Sequence, residues 1–233
     1  SRLTSQVSRM RPIAVIFLVV SCFSVAHAEE YGDYDVARIL IERDTPSGKN
    51  HSIDVTYLDQ IIDDLDTHAN NYPPVFDSPQ DRQRASKDAH MLSEVLNIPT
   101  SGANPHPGLI LRAAILNSLA HNLDIKGAAE RANQLFQKLL TDDPSNPMGN
   151  HRYGVFLSGV GKAKEAIPYL EKALASGAIG VNYSLGVSYL ILGNKQRAIE
   201  YLEAFQRERP NDTSAVKLLE AIRRGKIEYK WVP

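Results

Sequence analysis

The chain has 233 residues, with 26 Lys and Arg against 27 Asp and Glu and a formal net charge of −1. That balance lacks the basic excess needed to grip a phosphate backbone, so nucleic acid is excluded as the main partner. Hydrophobic residues make up 43% of the chain and Cys22 is its one cysteine, so the fold must rest on packing and not on internal disulfides.

Residues 1–28 read as a secretory signal peptide. Arg2, Arg9 and Arg11 precede an apolar run over 13–20, and Ala26-His27-Ala28 supplies a small–x–small cleavage motif. The run falls short of the roughly 20 apolar residues that span a bilayer. Cleavage after Ala28 would give an exported, periplasmic protein with 23 basic and 27 acidic residues and no cysteine. Disulfides, thiol catalysis and cysteine–metal sites would then be excluded. Val19-Val20-Ser21-Cys22 offers an alternative, because it loosely fits the lipobox of bacterial lipoproteins. Cleavage before Cys22 would leave a membrane-anchored lipoprotein, which is the one route to a membrane partner.

Residues 29–51 read as an irregular N-terminal segment. They begin acidic and tyrosine-bearing, with Tyr31 and Tyr34. The run 36–41 fits a short strand or the first turns of a helix, and 45–50 reads as a loop. Its Ser47-Gly48-Lys49 lacks the earlier glycine of a phosphate-cradling loop.

Residues 52–98 predict an N-terminal helical hairpin, either a cap or a degenerate repeat. In its first helix Leu58, Ile61, Ile62 and Leu65 share a face, while Asp59, Asp63, Asp64 and Asp66 fall on a solvated one. His68, near the helix end, is expected to be exposed or to interact favourably with the C-terminal dipole. Tyr72-Pro73-Pro74 breaks the chain, and Ser78-Pro79-Gln80-Asp81 starts a second helix with a capping hydroxyl and a proline at its first position. Ala85, Ala89, Leu92, Val95 and Leu96 mark its buried side. Residues 99–108 carry three prolines and two glycines and read as a loop.

The next hundred residues repeat themselves. Gly154, Leu157, Gly161, Ala166, Ile167, Tyr169, Leu170 and Glu171 return 32 residues later as Gly186, Tyr189, Gly193, Ala198, Ile199, Tyr201, Leu202 and Glu203. Ala120, Leu123, Gly127, Ala132, Phe136 and Pro144 form an earlier copy. A fixed period in this range marks stacked supersecondary units. In the last copy Tyr183, Leu185, Gly186, Tyr189 and Leu190 make one helical stripe, and Ala198, Ile199, Leu202 and Phe205 another. Gly193 suits the turn between them, Gly186 and Ala198 permit close helix approach, and Pro210 closes the unit.

The order Gly186, Tyr189, Ala198, Leu202, Pro210 resembles the tetratricopeptide repeat, a helix–turn–helix of about 34 residues. The resemblance implies an all-α fold of antiparallel helix pairs, stacked as a short right-handed α-solenoid behind the N-terminal helical hairpin. Three repeats would cover 109–210. A capping helix would follow over 211–225, started by Asp212 and ended by Gly225, with a tail over 226–233 that carries Trp231.

The resemblance also implies that the first helix of each pair lines a concave surface that meets a partner. By register, the exposed candidates are Asn117, His121 and Asp124 in the first copy, His151 and Ser158 in the second, and Tyr183 in the third. One subfamily clamps a C-terminal carboxylate with lysine and asparagine. Asn117 and His121 stand where those residues would be needed, so a protein or peptide segment held by mixed polar and aromatic contacts is expected instead. The histidines are scattered and the chain lacks Gly-x-Ser-x-Gly and His-Glu-x-x-His, so the expectation is a non-enzymatic scaffold without cofactor or metal, serving a bacterial envelope assembly. The alternative is an enzyme or a small-ligand or metal-binding protein, with its site between the N-terminal hairpin and the repeat groove. Self-assembly through the solenoid ends is a third reading.

Overall fold

A computed structural model describes residues 29–227. The expected signal segment over 1–28, with Cys22, and Trp231 lie outside the described residues. Nine α-helices are found among those described: α1 (Val55–Ala69), α2 (Pro79–Ser101), α3 (Pro107–Asn122), α4 (Ala128–Asp142), α5 (Pro147–Gly159), α6 (Ala163–Ala175), α7 (Val181–Ile191), α8 (Lys195–Glu208) and α9 (Thr213–Arg223).

Their starts are written locally. Side chains of Asp54, Ser78, Asn146, Asn194 and Asp212 each accept from an amide in the first turn of the helix that follows, satisfying donors that have no partner inside the helix. Pro79, Pro107 and Pro147 occupy first-turn positions where a missing N–H costs nothing.

Helices α3 and α4, α5 and α6, and α7 and α8 pack as pairs, and each second helix also packs on the first helix of the next unit. The first helices α1, α3, α5 and α7 therefore touch in sequence and form one row. This is a tetratricopeptide-like all-α solenoid. Glycine sets the closeness of the α5–α6 and α7–α8 pairs. A Cβ on Gly154 would lie 2.6 Å from Leu170 Cγ, and one on Gly186 would lie 2.7 Å from Leu202 Cγ and 3.2 Å from the Ala198 carbonyl. At the far end α9 buries Leu218, Leu219 and Ile222 and turns Lys217, Arg223 and Arg224 outward, a polar face that stops further stacking.

Residues 29–51 are not irregular. Tyr31 is fully buried, a 3-10 turn runs over Val36–Ile39, and an antiparallel hairpin follows, β1 (Leu40–Thr45) with β2 (Gly48–Ile53), closed at Pro46-Ser47. The loop expected over 45–50 shrinks to that tip. Ile41 and Ile53 are half-buried at the hairpin base and the other strand residues are exposed. Strands polar on both faces have no alternation to reveal them.

Two further expectations change. Helix α2 continues through Pro99 to Ser101, so the loop expected over 99–108 is shorter; the Thr100 and Ser101 hydroxyls bond back to the carbonyls of Leu96 and Asn97 in that last turn. Helices α1 and α2 barely touch each other. They meet α3 separately and are joined through residues 29–35.

Candidate partner-binding groove

The row of first helices carries a cavity of about 60 Å³ where α1, α3 and α5 come together. Leu119, Val155, Phe156 and Val160 form its apolar wall, and Asp66, His121, Asn122 and Arg152 supply polar groups. Val155 is 37% exposed at the cavity mouth. Gly159 contributes open space, since a Cβ there would meet nothing within 4 Å.

Charges along this face are paired internally. Arg152 crosses from α5 to α1 and places Nη1 and Nη2 at 2.9 and 3.2 Å from the two Asp66 oxygens. Arg112 of α3 makes the same fork on Asp59, at 2.6 and 2.7 Å. Bidentate geometry of this kind fixes side-chain direction as well as charge. Asn122 adds a bond to the Ala69 carbonyl at the end of α1. The face thus offers apolar surface and neutral hydrogen-bonding groups, with both guanidinium groups already engaged.

The histidines fit that neutrality. Burial lowers the His121 pKa against a small opposing pull from Asp124. His151 is pushed down to about 4 by burial and by neighbouring Arg152, and its Nε2 lies 3.0 Å from Ser184 Oγ of α7. Both rings are neutral near pH 7.

The six residues singled out by register do not share one surface. His121 lines the cavity and His151 sits on the same row, bridging α5 to α7. Asn117 is 2% exposed: its Oδ1 accepts from Ser93 of α2 at 2.8 Å and from Arg131 of α4 at 3.1 Å. Ser158 is also buried, with its hydroxyl 2.7 Å from Ser188 Oγ. These two hold helices together and are not the exposed positions that register implied. Asp124, at φ 62°, ends α3 and pairs with Arg82 at 2.9 Å. Tyr183 is half-buried with its ring 5.3 Å from Phe205, and burial raises its pKa.

The register missed Asp66, Asn122, Arg152, Val155 and Phe156. Their signal was available: Arg152, Val155 and Gly159 fall at i, i+3 and i+7 on α5, one stripe, half-buried at Arg152 and exposed at the other two, of a helix otherwise rich in buried residues. The aspartates of α1 also need correcting. Asp59, Asp64 and Asp66 are committed to structural partners, leaving Asp63 exposed. Among the described residues, no group of three or more His, Cys, Asp or Glu could hold a metal ion, and no helix is long and apolar enough to cross a membrane.

A second cleft, of about 300 Å³, opens between α2, α3 and α4. Ser93, Asn97, Arg131, Gln134 and Lys138 give it a polar lining, and Lys138 Nζ donates to the Thr100 carbonyl at 2.9 Å.

Comparison with known families agrees with the packing. Residues 179–212, which hold α7, α8 and the turn between them, match the family described as tetratricopeptide repeat. No curated protein matches the chain. The match covers one unit of the stack, and the helix pairs before it pack in the same way, so the fold is a tetratricopeptide-like helical solenoid.

Proposed function

We propose that the chain is an exported, non-enzymatic scaffold that holds a protein or peptide segment along the row formed by α1, α3, α5 and α7, within a bacterial envelope assembly. The observation that carries this reading is the cavity on that row, with Val155 exposed at its mouth, beside a matched tetratricopeptide repeat. Repeat families of this type act mainly as protein-binding surfaces. Export rests on the basic, apolar and small–x–small pattern of residues 1–28, and a lipid anchor at Cys22 is its variant.

The internal pairing of Arg112 and Arg152 favours a partner that presents apolar and neutral polar groups over one that presents a terminal carboxylate. A photo-crosslinking residue placed at Val155 in cells should capture one defined protein, and the same probe at Met91 on α2 should not. Val155→Arg, which fills the cavity mouth with charge, should abolish capture of that protein by a probe at His121. Equal labelling from Val155 and Met91, or none from Val155, would overturn the reading.

The polar cleft between α2 and the first repeat supports a second reading, a small-ligand binder. Stabilisation of the wild type but not of Lys138→Ala by a small polar compound would favour it.

A further inference from the structure

Residues 29–35 pass between α1 and α2 and bond to both. The Gly32 amide donates to Asp64 Oδ2 at 2.9 Å, and the Tyr34 hydroxyl donates to the same oxygen at 2.7 Å. The Tyr31 hydroxyl donates to Asp88 at 3.1 Å, and Arg84 donates to the Tyr31 carbonyl at 2.7 Å. Tyr31 itself is fully buried, edge-on to Tyr34, His68 and Phe76. The segment is a peptide strap seated in the seam of two helices that have little direct contact of their own.

His68 closes the strap's outer end. Its side chain is 2% exposed, so the exposed alternative does not hold, and it stacks on Phe76 at 5.0 Å. Its Nδ1 lies 2.8 Å from the Asp64 carbonyl and 3.2 Å from Asp64 Oδ1. Its Nε2 lies 2.7 Å from the Glu29 carbonyl. A carbonyl oxygen only accepts, whereas a neutral imidazole has one donor and one acceptor. A neutral ring would aim a lone pair at one of these oxygens. The imidazolium, with two donors, satisfies both.

We infer that residues 29–35 are a releasable strap, latched by doubly protonated His68 and let go at the Glu29 end when His68 loses a proton. The geometry selects which proton leaves. Nδ1 faces two acceptors on Asp64 and keeps its hydrogen, so Nε2 gives its own up and the Glu29 carbonyl loses its donor.

The surroundings agree. Burial pulls the His68 pKa down, but the Glu29 and Asp64 carbonyls and the Asp64 and Asp81 carboxylates outweigh it and hold the value above the ordinary one. From α2, Asp81, Arg84 and Asp88 line the seam, and Arg84 pairs with Asp81 at 2.8 Å and with Glu30 at 3.7 Å. From the strap, Tyr31 and Tyr34 stay protonated at neutral pH, their pKa values raised by burial and by bonds to Asp88 and Asp64. A group whose folded pKa is raised contributes fully below its unfolded pKa, about 6.5 for histidine, and loses that contribution as pH rises through the folded value. The strap is therefore held in mild acid and released on the alkaline side, leaving a seam lined by Asp64, Asp81 and Asp88.

NMR on the full chain tests this. Ring nitrogen signals should show His68 carrying both protons at pH 6 and titrating above the ordinary histidine value. Amide exchange at Gly32, corrected for intrinsic base catalysis, should accelerate on the order of 10- to 100-fold as His68 titrates, the effect of losing one buried acceptor's partner. Amides of α8 should keep their protection over the same range, which separates strap release from global unfolding. In His68→Gln, whose amide does not titrate, the Gly32 profile should become flat. If that variant does not fold, the wild-type titration decides alone. A neutral His68 ring at pH 6, or Gly32 protection indifferent to its titration, would overturn the inference.

Discussion

Replacing Gly186 with alanine sets two opposing effects against each other. Alanine in a helix interior is favoured over glycine by up to about 1 kcal/mol through backbone entropy. The added Cβ would stand 2.7 and 2.9 Å from Leu202 Cγ and Cδ2 and 3.2 Å from the Ala198 carbonyl. Leucine is flexible, but Leu202 is fully buried in the cluster with Phe205, Leu218 and Leu219, and the carbonyl belongs to the helix backbone. Overpacking of this kind costs roughly 1–3 kcal/mol. The clash wins, and Gly186→Ala should lose about 1–2 kcal/mol net of the helix-propensity gain. For a domain of this size each kcal/mol moves the melting temperature by roughly 2–4 °C. Gly159→Ala is the internal control. It has open space at its Cβ, so it should be neutral or gain up to about 1 kcal/mol. Leu202→Ala alone should cost about 2–5 kcal/mol, and combined with Gly186→Ala the losses should fall short of additivity by at least about 0.5 kcal/mol. Equilibrium urea unfolding of the four variants gives all terms. If Gly186→Ala is as stable as the wild type and the pair is additive, glycine does not set the helix spacing.

Three other outcomes are expected. Asn117→Ala strips the acceptor shared by Ser93 and Arg131, and should cost about 1–3 kcal/mol in urea unfolding, where an exposed asparagine would cost almost nothing. His151 should stay neutral until the pH nears 4, followed by its ring proton signals; a transition near 6.5 would refute the burial argument. Its folded pKa lies below the unfolded one, so the unfolded state holds the extra proton between about 6.5 and 4 and stability declines as pH falls through that window. His151→Gln should flatten that part of the curve. The mass of the chain purified from the envelope should place its first residue at Glu29, whereas a lipid-modified Cys22 would make it heavier and detergent-soluble.

The repeats were legible because their logic is local and periodic. Gly154, Gly186, Ala166 and Ala198 fall at spacings that only close helix pairs require, and the caps at Ser78 and Asp212 announce themselves within four residues. The strap was not legible, since its partners are far off in sequence: Tyr31 with Asp88, Glu29 with His68. Neither periodicity nor turn chemistry records such a pairing. The same gap explains His68, whose burial is hidden because its Glu29 acceptor comes from another segment. Asn117 and Ser158 failed for a different reason. Register places a residue on a helix but not against its neighbours: α3, which holds Asn117, is packed by α1, α2, α4 and α5, and α5, which holds Ser158, by α3, α4, α6 and α7, so few of their positions are left free.

The row of four first helices also has a fixed length. Axes of packed helices lie about 8–10 Å apart, so three steps from α1 to α7 span on the order of 25–30 Å. An extended chain advances roughly 3.3–3.6 Å per residue, so about eight residues would cross it from end to end. With α9 turning charge outward at one limit and the strap filling the seam at the other, the row would limit a segment held along it to about that length.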